Sequence, residues 1–303
     1  MPSDAALLRL LELLKSRSYQ FVTTTPATHT QIILRRTAET NLRDILGWSR
    51  AFNADADPDV VALLGEAGML ERLQGGLLRS RVRVSTLDDL LFLHSAYPTD
   101  QNDSVFFGPD SYRFASFLRS EAPRLQPRRH AVDIGTGAGV GGVVLSRLLP
   151  GARITLTDIN EQAIRFARIN ADFNGAEVEL VQTNALDGVA GDIDCIIANP
   201  PYIADRAHRA YRDGGGMRGG ALSLAWARDA AWRLKSGGAF LLYTGSAIID
   251  GEDKLKAALF EALDGFDITY REIDPDVFGE ELGREDYADV DRIAVVALVA
   301  IKR

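Results

Sequence analysis

Leu7, Leu10, Leu11 and Leu14 recur at helical spacing behind Ser3, which predicts an N-capped amphipathic helix at the start of the chain. A second periodic stretch runs through Leu42, Ile45, Leu46 and Phe52, and a third follows Pro58 through Val61 and Leu64. The period then changes. Met69 to Leu73, the Gly75-Gly76 pair and Leu77 to Val84 predict a hairpin with Val82 and Val84 on one face. Helices followed by a hairpin predict a mainly helical, winged-helix-like module over residues 1–100. Arg79, Arg81 and Arg83 alternate with the apolar positions, so a strand places all three on one side. Such a stripe is either a phosphate-facing surface or, more plainly, a solvated outer face that discourages edge-to-edge pairing.

From residue 101 to 303 the texture differs. Short apolar runs at His130 to Ile134, Ile154 to Thr157, Val178 to Val181, Ile193 to Ile197, Ala239 to Tyr243, Ile268 to Tyr270 and Ile293 to Ile301 read as strands. Helical segments around Val143 to Leu149, Ala163 to Asn170, Ala221 to Leu234 and Leu255 to Leu263 fall between most of them. This alternation predicts an α/β domain with a mostly parallel sheet, whose ligands sit outside the carboxyl ends of the strands.

Composition narrows the function classes. The 303 residues are 46 % hydrophobic and 25 % charged, with a net charge of −8. The longest apolar run is far short of the ~20 residues of a membrane span, and Asp4 and Glu12 interrupt the leucine-rich start, against a signal peptide. One cysteine, Cys195, leaves no internal disulfide, and four scattered histidines make no metal site. The expected setting is the cytoplasm. Residues 1–100 hold 11 basic and 12 acidic side chains, the remainder 23 and 30, so the acidity lies mainly in the second part. That balance argues against indiscriminate binding of naked nucleic acid, whose affinity comes from phosphate neutralisation.

The chemistry concentrates after two strands. Gly135-Thr136-Gly137-Ala138-Gly139-Val140-Gly141-Gly142 follows the first strand of the α/β part, where glycines let the backbone approach a ligand. Asp158 ends the next strand, where a carboxylate can accept both hydroxyls of a ribose. Dinucleotide and S-adenosylmethionine sites share that device. Asp133, just before the loop, favours the second, because it suits a cationic ammonium and repels a pyrophosphate.

Asn199-Pro200-Pro201-Tyr202 follows the strand that contains Cys195. Methyl transfer from a sulfonium to a planar amino group must hold both N–H bonds and aim a delocalised lone pair at the methyl carbon. The Asn199 side-chain oxygen and the Pro200 carbonyl can accept those hydrogens, proline fixing the backbone. Tyr202 offers a flat face to a planar target. Positioning then carries most of the catalysis.

With these motifs the sequence resembles class I S-adenosylmethionine-dependent methyltransferases of the N-P-P-Y type, closest to the N5-glutamine methyltransferases of release factors and the small methyltransferase domain. The resemblance covers about residues 103–303 and includes Asp213-Gly214-Gly215-Gly216 and Gly219. It implies a Rossmann-like seven-stranded sheet with an antiparallel last strand. It further implies a cofactor set of Asp133, Gly135, Thr136, Gly137, Gly139, Asp158, Ile159, Asn184, Ala185 and Asn199, and an acceptor set of Asn199, Pro200 and Tyr202. Phe106 to Ser111 resembles the segment that closes over the cofactor, so Phe107 is expected at the adenosine or target pocket. Asn184 stands where relatives often carry Asp. The expected partner is an acceptor with a planar amino group, on RNA, DNA or a protein glutamine. The alternative is a small-molecule methyltransferase whose N-terminal domain is a lid or a homodimer interface.

Overall fold

The computed structural model describes residues 3–35, 40–125, 127–205 and 211–303. The N-terminal part begins with α1 (Asp4–Ser16), α2 (Pro26–Arg35), α3 (Leu42–Leu46) and α4 (Pro58–Glu66). Ser3 caps α1, its hydroxyl accepting from the Ala6 amide at 3.3 Å, and the leucines of the periodic face are buried. The second periodic stretch breaks early. α3 ends at Gly47, and Phe52 instead bridges Leu78 in an extended segment.

Two hairpins follow, β1 (Leu70–Arg72) with β2 (Leu78–Ser80), and β3 (Val82–Leu87) with β4 (Leu90–Ser95). The expected single strand from Leu77 to Val84 is therefore two strands of different hairpins. Ser80 fixes the bend between them, donating to the Val82 carbonyl at 2.7 Å and accepting from its amide at 3.1 Å. This overturns the arginine stripe, because alternation does not persist across a bend. Arg79 pairs with Glu71 at 3.0 Å, Arg81 is exposed, and Arg83 is only 4 % exposed, its guanidinium over the Phe21 ring.

The second part opens with α5 (Pro109–Glu121) and continues as β5 (His130–Ile134), α6 (Val140–Leu148), β6 (Arg153–Asp158), α7 (Glu161–Asn174), β7 (Glu179–Gln182) and β8 (Ile193–Ala198). It ends with α8 (Ala221–Arg233), β9 (Leu234–Ile249), β10 (Glu252–Asp253), α9 (Lys254–Ala262), β11 (Phe266–Asp274) and β12 (Arg292–Lys302). Seven of these strands form a sheet in the order β7-β6-β5-β8-β9-β12-β11, with β10 paired to β9 off that path. β12 runs antiparallel to β9 and β11, and the β5–β6, β6–β7, β5–β8 and β8–β9 pairs are parallel, as expected. Strand order reverses between β5 and β8, which opens a crevice at their carboxyl ends.

The two parts are joined by buried polar contacts. The Asn170 carboxamide on α7 accepts from the Leu93 amide and donates to the Leu93 and Ala138 carbonyls, all at 2.8 Å. Asn174 does the same for Leu91, so β4 is tied along one edge to α7, directly behind the glycine loop.

Candidate active site

The crevice is lined by Asp133, Gly135, Thr136, Gly137, Asp158, Ile159, Asn184, Ala185, Asn199, Pro200 and Tyr202, which come from the ends of four strands, β5, β6, β7 and β8. Gly135 and Gly137 take φ of +63° and +55°, a region an L side chain enters only with strain. Gly135 also faces Trp226 on α8 so closely that a Cβ would stand 2.5 Å from the indole.

Asp133 is buried and Asp158 half-buried, one on each side of the glycine loop. Asp133 Oδ2 accepts from the Thr136 hydroxyl at 2.6 Å and from the Gly142 amide at 3.0 Å. Burial, reinforced by the neighbouring charge of Asp158, nevertheless pushes its carboxyl up to about 7. Asp158 accepts from the Gly137 and Asn160 amides, each at 2.9 Å, and burial raises its carboxyl too. Two desolvated carboxylates with no salt-bridge partner among the described residues fit a cationic, hydroxyl-bearing ligand such as S-adenosylmethionine.

Two expected cofactor residues lie elsewhere. Phe107 is core: its ring stacks on His94 with centroids 5.1 Å apart and meets Tyr112 edge-on. Successive side chains of an extended segment point in opposite directions, so Phe106 takes the place at the crevice instead. Gly139 heads α6 with φ +82° and turns away from the crevice, where a Cβ would stand 3.2 Å from Ala167 on α7. Its role is close helix packing. The buried Cys195 thiol, raised to about 12, is an inert core group as expected.

Asn199 and Pro200 leave β8 at the crevice floor. Among the described residues no group hydrogen-bonds the half-buried Asn199 carboxamide. Tyr202 is 6 % exposed, with its ring over Gly245 and edge-on to Phe278 at 5.7 Å. A Cβ on Gly245 would stand 2.2 Å from that ring. The glycine-rich segment 213–219 supports the turn from outside: the Gly214 amide donates to the Ile203 carbonyl at 2.9 Å. Gly219 sits where a Cβ would meet the Tyr202 carbonyl at 2.2 Å. Sequence reasoning missed Asp110, Tyr211 and Trp226, which also line the crevice. Asp110 falls inside the Phe106 to Ser111 segment, whereas nothing in the local pattern marks Trp226 or Tyr211.

The strand order, the antiparallel β12 and the acid that ends β6 are consistent with a Rossmann-like methyltransferase fold, as the sequence resemblance implies. Residues 114–261 match the methyltransferase small domain, so this part of the chain resembles that family directly. A ribosomal RNA small subunit methyltransferase C of Ectopseudomonas mendocina is 32 % identical over 150 residues, 44 % of this chain and 45 % of the relative. A release factor glutamine methyltransferase of Deinococcus radiodurans is 38 % identical over 91 residues, 29 % of this chain and 31 % of the relative. The chain thus spans less than half the length of the relatives it matches. The crystal structure of Trm5b from Pyrococcus abyssi superposes with a TM-score of 0.51 at 14 % identity, over 80 % of this chain and 68 % of that one, a likeness of fold. No helix among the described residues is long and apolar enough to cross a membrane, and they hold no metal-ligand cluster.

Proposed function

We propose that this protein transfers a methyl group from S-adenosylmethionine to a planar amino group, with ribosomal RNA as the favoured acceptor. The observation that carries the chemistry is the Asn199 carboxamide, which lies at the crevice floor beside a buried proline and keeps its hydrogen-bonding capacity unused. Bound cofactor supplies an electrophilic methyl on a cationic sulfur. The chain's own contribution is geometric. Asp133 faces the cationic amino-acid end, Asp158 accepts from the ribose hydroxyls, and Ile159, with Asn184 and Ala185, flanks the base. The Asn199 oxygen and the Pro200 carbonyl accept the two amino hydrogens and turn the lone pair toward the methyl. With the cofactor held by Asp133 and Asp158, the methyl would pass from sulfur to the nitrogen held by Asn199 and Pro200, the sulfur keeping the bonding pair and the nitrogen losing a proton. Because the sulfonium charge vanishes as nitrogen becomes cationic, positioning outweighs base strength.

Ribosomal RNA is favoured because a relative matched over 150 residues is named a ribosomal RNA methyltransferase. Protein glutamine is the second reading, supported by the release-factor relative and sharing the same planar amide chemistry. The test supplies labelled S-adenosylmethionine with ribosomal subunits, with transfer RNA and with release factors, followed by digestion of the labelled product. Label on an exocyclic amine of ribosomal RNA is expected. Label on glutamine selects the second reading, and label on oxygen, carbon or sulfur refutes the amino-group chemistry.

A further inference from the structure

Beneath the Asn199–Tyr202 turn lies a polar cluster of Asp110, Tyr243 and Arg113, to which neither the cofactor nor the acceptor role gives a part. Asp110, in the first turn of α5, lines the crevice yet is only 4 % exposed. Its Oδ1 accepts from the Tyr243 hydroxyl at 2.8 Å, and Arg113 approaches the same oxygen at 3.4 Å while bonding Asp274 at 2.9 Å. The buried Tyr202 hydroxyl faces this carboxyl too, without a well-formed hydrogen bond to anything. Burial raises the Asp110 carboxyl, and Tyr202, Tyr243 and Arg113 oppose that rise.

A carboxyl buried this deeply is costly, and a helix that only had to pack would be served better by an apolar side chain. Nor does Asp110 cap its own helix, since its recorded bonds go to Tyr243 and to Arg113. Tyr243 and Gly245 stand two apart on β9, on the same face, one bonding Asp110 and the other seating the Tyr202 ring. Three elements therefore meet at one carboxyl: α5, β9 and the acceptor turn.

We propose that Asp110 is a positioning residue, which through Tyr243 and Tyr202 sets the height and tilt of the Asn199-Pro200 acceptor pair over the reacting methyl. The proposal rests on the amino-group reading of Asn199. An acceptor-independent probe tests it. Sinefungin carries a protonated amine where the cofactor carries its methyl, so it presents N–H donors to Asn199 and Pro200, and S-adenosylhomocysteine presents none. The preference for sinefungin over S-adenosylhomocysteine therefore measures how well the acceptor pair is placed.

Calorimetry on Asp110→Asn and Tyr243→Phe should show that preference reduced about fivefold or more, the worth of roughly one hydrogen bond. Affinity for S-adenosylhomocysteine should stay within about twofold, since its own contacts are untouched. Tyr243→Phe keeps the carboxyl, so it separates placement from the loss of a nearby charge. If only Asp110→Asn responds, the effect is Coulombic and the positioning role is overturned. Tyr243→Phe carries the test alone if Asp110→Asn fails to fold. Asn199→Ala distinguishes the two levels. A lost preference there beside an unchanged one in Tyr243→Phe overturns the role of Asp110 alone. An unchanged preference in Asn199→Ala removes the amino-group reading and this proposal with it.

Discussion

Asp133 should make cofactor affinity depend on pH between 5 and 7. Its carboxyl lies at about 7, against an ordinary 3.8, chiefly because it is buried. Folding therefore binds a proton there. Its contribution to stability is complete below about pH 4 and lost as pH rises to about 7, a penalty on the order of 4 kcal/mol in the empty protein. A cationic amino group facing this carboxylate favours the ionised form and lowers its pKa, so binding releases a proton below pH 7. Affinity for S-adenosylmethionine should then fall roughly 50-fold from pH 7 to pH 5, the slope approaching tenfold per unit below pH 6, a window in which the ligand's amine stays protonated. Isothermal titration in buffers of differing ionisation enthalpy measures both affinity and proton release. Asp133→Asn should bind more weakly at pH 7 and show no slope. Asp158→Asn should keep the slope with its midpoint moved to lower pH, because the Asp158 charge helps to raise Asp133. Equal affinity at pH 5 and 7, or the wild-type slope persisting in Asp133→Asn, refutes the placement of the ammonium at Asp133.

Asn199→Ala should retain the fold and cofactor affinity but lower single-turnover methylation about 10²-fold or more, as expected when one preorganised polar group at a reacting centre is removed; wild-type turnover contradicts the mechanism. Asn170→Ala strands the amide and carbonyl of Leu93 and the Ala138 carbonyl. It should cost about 2–4 kcal/mol in chemical denaturation, and an unchanged midpoint would mean that β4 is held to α7 by its apolar contacts alone. Arg83→Met should leave stability unchanged or raise it by up to about 2 kcal/mol, since the guanidinium is buried without a carboxylate among the described residues. A clear loss in urea titration would show that its contact with the Phe21 ring outweighs desolvation.

The local code of this sequence was sufficient wherever one residue's chemistry and its immediate spacing settle the outcome. Ser3 before Leu7, Leu10, Leu11 and Leu14 specifies a capped amphipathic helix, and the structure has it. The alternation of buried strands with helices determines a doubly wound sheet, and Asp158 and Asn199 mark strand ends because polar groups there can reach only the crevice. Local pattern failed where the outcome depends on which neighbour a segment meets. Alternation put Arg79, Arg81 and Arg83 on one face, but pairing with two different partners bends the chain at Ser80 and buries Arg83. Two adjacent phenylalanines are equivalent as sequence. Only the register of the segment against His94 and Tyr112 sends Phe107 inward and leaves Phe106 at the crevice. Asp110 and Tyr243 are 133 positions apart and bonded. Nothing local links them, because side chains that meet across a sheet and a helix owe their proximity to the closure of the whole fold.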